Sequence, residues 1–334
     1  MSVKRLFWAA GLAAVLAIGG LWTDYLRTAD APLANRETVY FEIGKGQSLS
    51  SVAEALRERG LTDKPLWFRL LAWAEKAQSR LKYGEYEIPP QTTPRQLLAL
   101  FASGKTRHYS LTFVEGWNFR QMAEAMNRQA GLVHRIEGKP PRDVMAMIDA
   151  PGEDAEGRFF PDTYFFSRGT EDLELLRRAY RKMQIVLAEE WQGRAQGLPL
   201  RNPYEALTLA SIVEKETGLP AERPRIAGVF TRRLAKGMLL QTDPTVIYGM
   251  GEAYAGNIRA EDLLRDTPYN TYVHAGLPPT PISMPGLGAL RAALRPEAGD
   301  SLYFVARGDG GHVFSKTLAE HNKAVDQFQK NRHD

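Results

Sequence analysis

A predicted helix with two carboxyl groups on its apolar face constrains this chain more than any other feature. Over residues 205–216 the spacing of apolar side chains predicts an amphipathic helix, whose apolar arc is formed by Ala206, Leu207, Leu209, Ala210, Ile212 and Val213. Glu214 and Glu216 both fall inside this arc, whereas Lys215 points to the opposite side, toward water. Burial and the negative end of the helix dipole both raise the pKa of a carboxyl. The pattern therefore predicts a carboxyl that keeps its proton near neutral pH, as a general acid must.

The same two glutamates also have a structural interpretation. Either one could reach water, or pair with one of four arginines that follow it in the chain: Arg223, Arg225, Arg232 and Arg233. Perturbed charges are often structural ion pairs, not catalytic groups. The helical wheel alone does not separate Glu214 from Glu216.

A polar segment at residues 240–249, LQTDPTVIYG, follows a second amphipathic helix. It is dense in groups that bind polar ligands. We expect this segment to line a cleft near Glu214 together with Asn270 and Tyr272. The residues of the segment that we expect in the cleft are Gln241, Thr242, Asp243, Thr245 and Tyr248. The alternative is that Asp243 and the proline after it only cap a helix that starts at Thr245.

The order of these motifs closely resembles that of the YceG-like family, the endolytic murein transglycosylases of the inner membrane. The resemblance rests on IVEKET at 212–217 and on the polar segment at 240–249, and it continues through YNTY at 269–272, GLPPTPI at 276–282 and HVFS at 312–315. It covers nearly the whole chain. It implies an endolytic peptidoglycan lytic transglycosylase that cleaves the MurNAc-β-1,4-GlcNAc bond of nascent glycan strands. The product would carry a 1,6-anhydroMurNAc end, and elongation of the glycan strand would stop. The resemblance also implies that the protein associates with glycan-polymerising synthases.

The resemblance assigns the catalytic acid to Glu214, the first glutamate of IVEKET. Hydrolytic glycosidases normally need two carboxyl groups. A lytic transglycosylase needs only one, because the C6 hydroxyl of the sugar attacks the anomeric carbon in place of water. We place Glu216 and His312 with the predicted substrate-binding residues, although His312 and His321 could each be a core histidine.

An uncharged run at residues 6–22 predicts a membrane anchor. Lys4 and Arg5 precede it, and Trp8 and Trp22 lie near its two ends, where interfacial aromatic residues belong. Its length is at the short end of the roughly 17–25 residues that span a bilayer. We expect an uncleaved transmembrane helix within an anchor at 1–22, since a signal peptide would have a shorter apolar region and a cleavage site of small residues. The N-terminus would then be cytoplasmic and the catalytic domain periplasmic.

The segment after the anchor predicts a small strand–helix module. Residues 39–43 alternate as a strand does, and a helix follows a turn at 44–47. The sequence GQSLSSVA at 46–53 resembles the first half of a LysM module, a unit that binds the N-acetylhexosamine backbone of peptidoglycan. We predict a linker at 23–37, a LysM-like module at 38–105, a connecting strand–helix region at 106–154 and a mixed catalytic domain at 155–330. The fold class is α+β.

Several other kinds of site are excluded by composition and motif. The chain has no cysteine, so thiolate catalysis and cysteine-based metal sites are absent. Its six histidines show no ligand spacing such as HExxH, and no phosphate-binding loop or GxSxG motif is present. The net charge of +4 is modest for 334 residues and predicts no nucleic-acid partner. We expect no metal ion and no cofactor.

Two other functions are compatible with the same residues. The chain could be a non-catalytic glycan-binding scaffold of the cell-wall synthesis machinery, acting through the LysM-like module. It could also be a muramidase that hydrolyses the same bond, with Asp243 or Glu216 as the second carboxylate. The presence of Glu214 within its motif argues against the scaffold.

Overall fold

The chain divides into two compact units. The computed structural model describes residues 3–329, with the side chains of all of these except residues 3–6 and 9. Residues 1, 2 and 330, which belong to the predicted anchor and catalytic domain, lie outside the described residues. The first unit is the chain up to Tyr109 together with Phe165–Thr170, and the second is Ser110–Tyr164 together with the chain from Glu171 onward. Helices and short strands occur in both units, so the predicted α+β class is confirmed.

The first unit has a strand–helix–helix–strand order after its N-terminal helix. Its elements are α1 (Val3–Asp30), β1 (Val39–Ile43), α2 (Leu49–Glu58), α3 (Pro65–Ala74), β2 (Gly84–Ile88) and α4 (Pro94–Ser103). Strands β1 and β2 pair antiparallel, from Val39 opposite Ile88 to Ile43 opposite Gly84. The core between strands and helices contains Phe41, Tyr86 and Phe101, none of which is exposed. This unit covers the predicted LysM-like module at 38–105.

Helix α1 contains the predicted transmembrane segment at 6–22. Within the described residues, however, no helix is long and apolar enough to cross a membrane. The run includes three glycines, at 11, 19 and 20, and the helix continues beyond it through Asp24 and Arg27 to Asp30. At its C-terminal end Asp24 accepts hydrogen bonds from Lys64 (2.6 Å) and from the indole of Trp67 (2.9 Å).

The second unit is mainly helical. The chain enters it within β3 (His108–Thr112), and α5 (Phe119–Asn127), β4 (Leu132–Val133) and α6 (Pro141–Met147) follow. The chain passes to the first unit within β5 (Thr163–Ser167) and returns within β6 (Thr170–Glu171). The remaining elements are α7 (Asp172–Gln192), α8 (Pro203–Glu216), α9 (Arg223–Ala235), α10 (Asp243–Met250), α11 (Ala260–Leu264), α12 (Leu287–Leu294), β7 (Tyr303–Ala306), β8 (His312–Ser315) and α13 (Leu318–Phe328). Strands β7 and β8 form an antiparallel hairpin, from Tyr303 opposite Ser315 to Ala306 opposite His312. Residues 110–154, predicted as a connecting region, belong to this unit.

Helix α8 lies in the core of the second unit. The side chain of Asn202 caps its first turn by accepting a hydrogen bond from the backbone N–H of Glu205 (3.0 Å). Every residue from 206 to 213 is buried, and α7, α9 and α12 pack around them. Fully burying one aliphatic side chain stabilises a fold by about 1.5–3 kcal/mol. This packing makes α8 a rigid support for the residues of its last turn.

Candidate functional site

The last turn of α8 directs three consecutive side chains to different sides. Neighbouring residues of a helix are rotated by about 100°, so Glu214, Lys215 and Glu216 diverge from one another. The side chain of Glu214 is only 5% exposed, Lys215 is exposed, and Glu216 lies at the wall of a cavity. The two glutamates of the predicted apolar arc therefore have separate environments.

Glu214 is held by two hydrogen-bond donors. Its Oε1 accepts from Arg223 Nη2 (2.7 Å), and its Oε2 accepts from the backbone N–H of Gly286 (2.9 Å). Burial has the largest influence on the pKa of Glu214 and raises it, whereas the Gly286 N–H and the charge of Arg223 lower it. The nearby Glu115 raises it further, and the net pKa lies above the ordinary value. Glu214 therefore holds a proton more readily than an exposed glutamate does.

A glycine brings a backbone segment against Glu214. Gly116 has φ +78°, in the left-handed region that glycine adopts most readily. Its N–H donates to the Met284 carbonyl (2.9 Å), and the Met284 N–H donates to the Trp117 carbonyl (2.7 Å). A Cβ added to Gly116 would lie 3.8 Å from Glu214 Cγ and 3.7 Å from Lys215 Cδ. These bonds fix the segment before α5 beside the last turn of α8.

Glu216 is a second carboxyl with a raised pKa. The Thr242 hydroxyl donates a hydrogen bond to its Oε1. Burial raises the pKa of Glu216 to about 7; the Thr242 hydrogen bond lowers it, and the charge of Asp243 adds to the increase. Glu216 lies at a cavity of about 500 Å³, here called the first cavity. A group that titrates near neutrality therefore lines this cavity.

The first cavity brings together six of the residues predicted from the sequence. They are Glu216, Gln241, Thr242, Asp243, Tyr272 and His312. The Tyr272 hydroxyl donates to Asp243 Oδ1 (2.6 Å), and His312 Nδ1 lies 2.7 Å from Glu222 Oε2. Gln241 has φ +51°, a conformation that is uncommon outside glycine and is found more often at functional sites. Polar groups and an aromatic ring thus converge on one space.

Four predicted site residues lie elsewhere. Thr245 is fully buried, and its hydroxyl donates to the Thr242 carbonyl (2.7 Å). Asn270 is 1% exposed, and its amide donates to backbone carbonyls at 2.8 and 3.0 Å. Tyr248 lines a second cavity, and Glu214 is part of the lining of neither one. Thr245 and Asn270 thus hold the backbone in place instead of lining the cleft where we expected them.

The second cavity has a volume of about 830 Å³ and contains a carboxyl that the sequence did not reveal. Glu156 is 8% exposed, and it accepts hydrogen bonds from the Phe119 N–H (3.1 and 3.2 Å) and the Tyr248 hydroxyl (3.0 Å). Burial outweighs these bonds and raises its pKa to about 7. The only sequence signal was its place directly before the aromatic-rich segment at 157–166.

Arg233 has a role that sequence reasoning also missed. The sequence suggests an ion pair for Arg233, but its guanidinium donates to the carbonyls of Leu302 (2.7 Å) and Leu240 (3.0 Å). It is 7% exposed, and burial lowers its pKa. It also donates to the side chain of Gln241 (3.3 Å) and lines the first cavity. Arg233 therefore fixes the strained segment at the cavity wall.

The arrangement of these side chains indicates a class of protein. Within residues 3–329 no group of three His, Cys, Asp or Glu side chains is placed to hold a metal ion. The two cavities are lined by aromatic and polar side chains, and each includes a carboxyl group whose pKa burial raises, Glu216 in the first and Glu156 in the second. This arrangement suits an enzyme that acts on carbohydrates by proton transfer.

The chain belongs to the YceG-like family, which it matches over residues 41–327. An endolytic murein transglycosylase of Bacillus subtilis (strain 168) is 30% identical over 311 residues, covering 88% of this chain and 86% of the relative. One of Streptococcus pneumoniae serotype 2 (strain D39) is 27% identical over 352 residues, covering 93% of this chain but 63% of the relative. The crystal structure of a YceG-like protein from Listeria monocytogenes has a TM-score of 0.54 at 31% identity, and the match covers 86% of this chain and 99% of that one.

Proposed function

We infer that this chain is an endolytic murein transglycosylase, a peptidoglycan lytic transglycosylase of the cell wall. The observation that carries this conclusion is its similarity, over most of its length, to relatives with that activity. The bond cleaved is MurNAc-β-1,4-GlcNAc in nascent glycan strands. Cleavage leaves a 1,6-anhydroMurNAc end and terminates elongation of the strand.

Glu214 is the proposed general acid of this reaction. Its proton passes to the glycosidic oxygen as the bond to the anomeric carbon breaks. The C6 hydroxyl of the same sugar attacks that carbon, and its proton returns to the Glu214 carboxylate, so no water is consumed. The raised pKa of Glu214 favours the protonated starting form, while Arg223 and the Gly286 N–H stabilise the carboxylate that forms.

The first cavity is the proposed binding site for sugars on one side of the scissile bond. Sugar recognition needs directional hydrogen bonds together with aromatic faces. Gln241, Asp243 and Tyr272 provide both. Glu216 also lines this cavity, and it lies on the same helical turn as Glu214.

Mass spectrometry of the sugar ends tests the function directly. Purified full-length protein incubated with uncrosslinked glycan strands is expected to release fragments that end in 1,6-anhydroMurNAc. Reducing ends would identify a muramidase that uses Asp243 or Glu216 as the second carboxylate. Intact strands that remain bound to the protein would identify a glycan-binding scaffold.

We propose that residues 38–105 bind glycan strands as a LysM-like module. Two observations support this assignment: β1 pairs antiparallel with β2, with two helices between them in the chain, and the sequence at 46–53 resembles that of a LysM module. Deleting residues 38–105 is expected to weaken binding to isolated glycan strands roughly tenfold without changing the bond that is cleaved. A sedimentation assay measures the binding and sugar-end analysis measures the bond. Unchanged sedimentation would show that the segment is a spacer or a protein-docking unit.

We also propose that the N-terminal segment attaches the enzyme to the inner membrane, with the catalytic unit in the periplasm beside the glycan-polymerising synthases. Eight apolar side chains of α1 are between 57% and 80% exposed, namely Phe7, Trp8, Leu12, Val15, Leu16, Ile18, Leu21 and Trp22. An apolar surface of this extent normally has a partner. The mature protein is expected to retain residues 1–22 and to fractionate with membranes. A mature N-terminus after Trp22 would contradict this.

A further inference from the structure

The last turn of α8 lies between the two cavities of the second unit. Lys215 and the neighbouring Gly116 line the second cavity, Glu216 lines the first, and Glu214 comes directly before these two residues on the same turn. Helix α10 also contributes residues to both cavities. Asp243 at its start lines the first cavity, whereas Tyr248 lines the second. A substrate that reaches Glu214 therefore has a cavity available on each side.

The second cavity offers a distinct set of contacts. In the described part of the chain, the Lys215 ammonium donates to the Gly116 carbonyl, at 3.3 Å, and forms no salt bridge, although its charge lowers the pKa of Glu214. Glu156 has no cationic partner in the described part of the chain, and its bonds go to a backbone N–H and to the Tyr248 hydroxyl. The rings of Tyr248 and Tyr269 lie 4.8 Å apart between centroids. The cavity thus combines an unpaired cation, a carboxyl able to hydrogen-bond an amide, and two aromatic rings.

We propose that the second cavity binds the peptide carried by the muramyl sugar of the glycan strand. This proposal rests on the proposed function. A cut within a strand requires substrate on both sides of Glu214, and only the muramyl sugar carries a lactyl group joined to a peptide with free carboxylates. Lys215 suits a peptide carboxylate, and a hydrogen bond to a charged group is worth more than one between neutral groups. Glu156 with Tyr248 suits the peptide amides, and the larger of the two cavities takes the larger substituent.

Peptide recognition predicts that the enzyme discriminates between peptide-bearing and denuded strands. In the first cavity, Asp243 and Tyr272 bond to each other, and Arg233 donates to backbone carbonyls and to Gln241. Those contacts suit hydroxyl and acetamido groups of sugars. The anionic part of the substrate is therefore recognised by the second cavity, next to the proposed acid.

Binding measured in the full-length Glu214→Gln protein tests this proposal. This background prevents cleavage and also removes the effect of the Lys215 charge on the pKa of Glu214. Isothermal titration with a disaccharide–peptide fragment and with the same fragment after removal of its peptide is expected to show roughly tenfold tighter binding of the first. Adding Lys215→Met is expected to remove most of that ratio. Asp243→Asn, the matched change in the first cavity, is expected to weaken both fragments alike.

The outcomes distinguish a failure of the peptide site from a failure of the proposed function. Equal affinity for the two fragments would overturn the peptide site and leave the proposed function intact. Equal weakening of both fragments by Lys215→Met would also overturn it. Failure of both fragments to bind would contradict the proposed function itself. Glu156→Gln is a second probe that keeps the size of the side chain, and it is expected to reduce the ratio while the melting temperature confirms that the variant is folded.

Discussion

Replacing Glu214 by Gln is expected to lower the rate of glycan cleavage by about 10²–10⁴-fold while the protein remains folded. Glutamine keeps the size and polarity of the side chain but has no proton to give to the glycosidic oxygen. The loss should lie at the upper end of this range if no second carboxyl replaces the acid. The measurement is the rate of appearance of anhydro-ended fragments from uncrosslinked strands, with unfolding followed in parallel.

The contacts of Glu214 limit the effect of this change on stability. Arg223 loses one carboxylate partner, but Glu115 lies 3.6 Å from the same guanidinium and remains available. The Gly286 N–H keeps an acceptor if the amide oxygen takes the position of Oε2. We expect the free energy of unfolding to fall by about 1–2 kcal/mol. A folded variant that releases anhydro-ended fragments at the parent rate would place the acid elsewhere, with Asp243 or Glu216 as the next residues to change.

Several elements of the fold could be predicted because their signals are local. The spacing of apolar residues predicts α8. A hydroxyl and an amide three residues apart indicate a capping box at the start of a helix. Thr93 and Gln96 form such a box at the start of α4. The glycine-rich turn between β7 and β8 likewise marks a hairpin. In each case the residues that decide the structure are close together in the chain.

The site was only partly predictable because its partners come from distant segments. Helical periodicity left four arginines open for the glutamates, and only tertiary packing selects Arg223 for Glu214. The residue types at 240–249 predict one continuous polar surface. Helix α10 begins at Asp243, however, and five residues of helix rotate Tyr248 by about 500°, which leaves it roughly 140° from Asp243. One predicted cleft is therefore two cavities.

Buried polar residues explain the remaining differences. Asn270 was expected to face the substrate because its type suits sugar binding, but its amide instead holds backbone carbonyls of the preceding loop. Glu156 bonds to Tyr248, which is 92 residues away in the chain. No local pattern distinguishes a polar residue that binds the backbone from one that binds a ligand.

Glu216→Gln is expected to flatten the pH dependence of stability. The pKa of Glu216 is about 7 in the folded protein against an ordinary value of 4.5. A raised pKa means that the folded state binds the proton more tightly, so this contribution to stability is complete below about pH 4.5 and is lost as the pH rises through about 7. The shift corresponds to a contribution on the order of 3 kcal/mol. Denaturant unfolding at pH 5 and pH 8, followed by tryptophan fluorescence, measures the difference between parent and variant.

Glu156→Gln is a second variant with the same expected effect, because burial raises the pKa of Glu156 to about 7 as well. Each variant alone should lose part of the pH dependence between pH 5 and 8, and the double variant should lose most of it. A parent protein whose free energy of unfolding is the same at both pH values would show that neither carboxyl is protonated when folded.

The same Glu216 variant is expected to lose cleavage activity only partially. Glu216 lines the first cavity and accepts a hydrogen bond from Thr242, which a glutamine oxygen can also accept. The pKa of Glu214 is shifted by burial, the Gly286 N–H, Arg223, Glu115 and Lys215, whereas Glu216 points to another side of the helix. Removing the Glu216 carboxyl should therefore leave the alkaline limb of the rate profile in place. A shift of that limb to lower pH would show that the Glu216 charge holds the proton on Glu214, and a loss as large as that of Glu214→Gln would instead make Glu216 the acid.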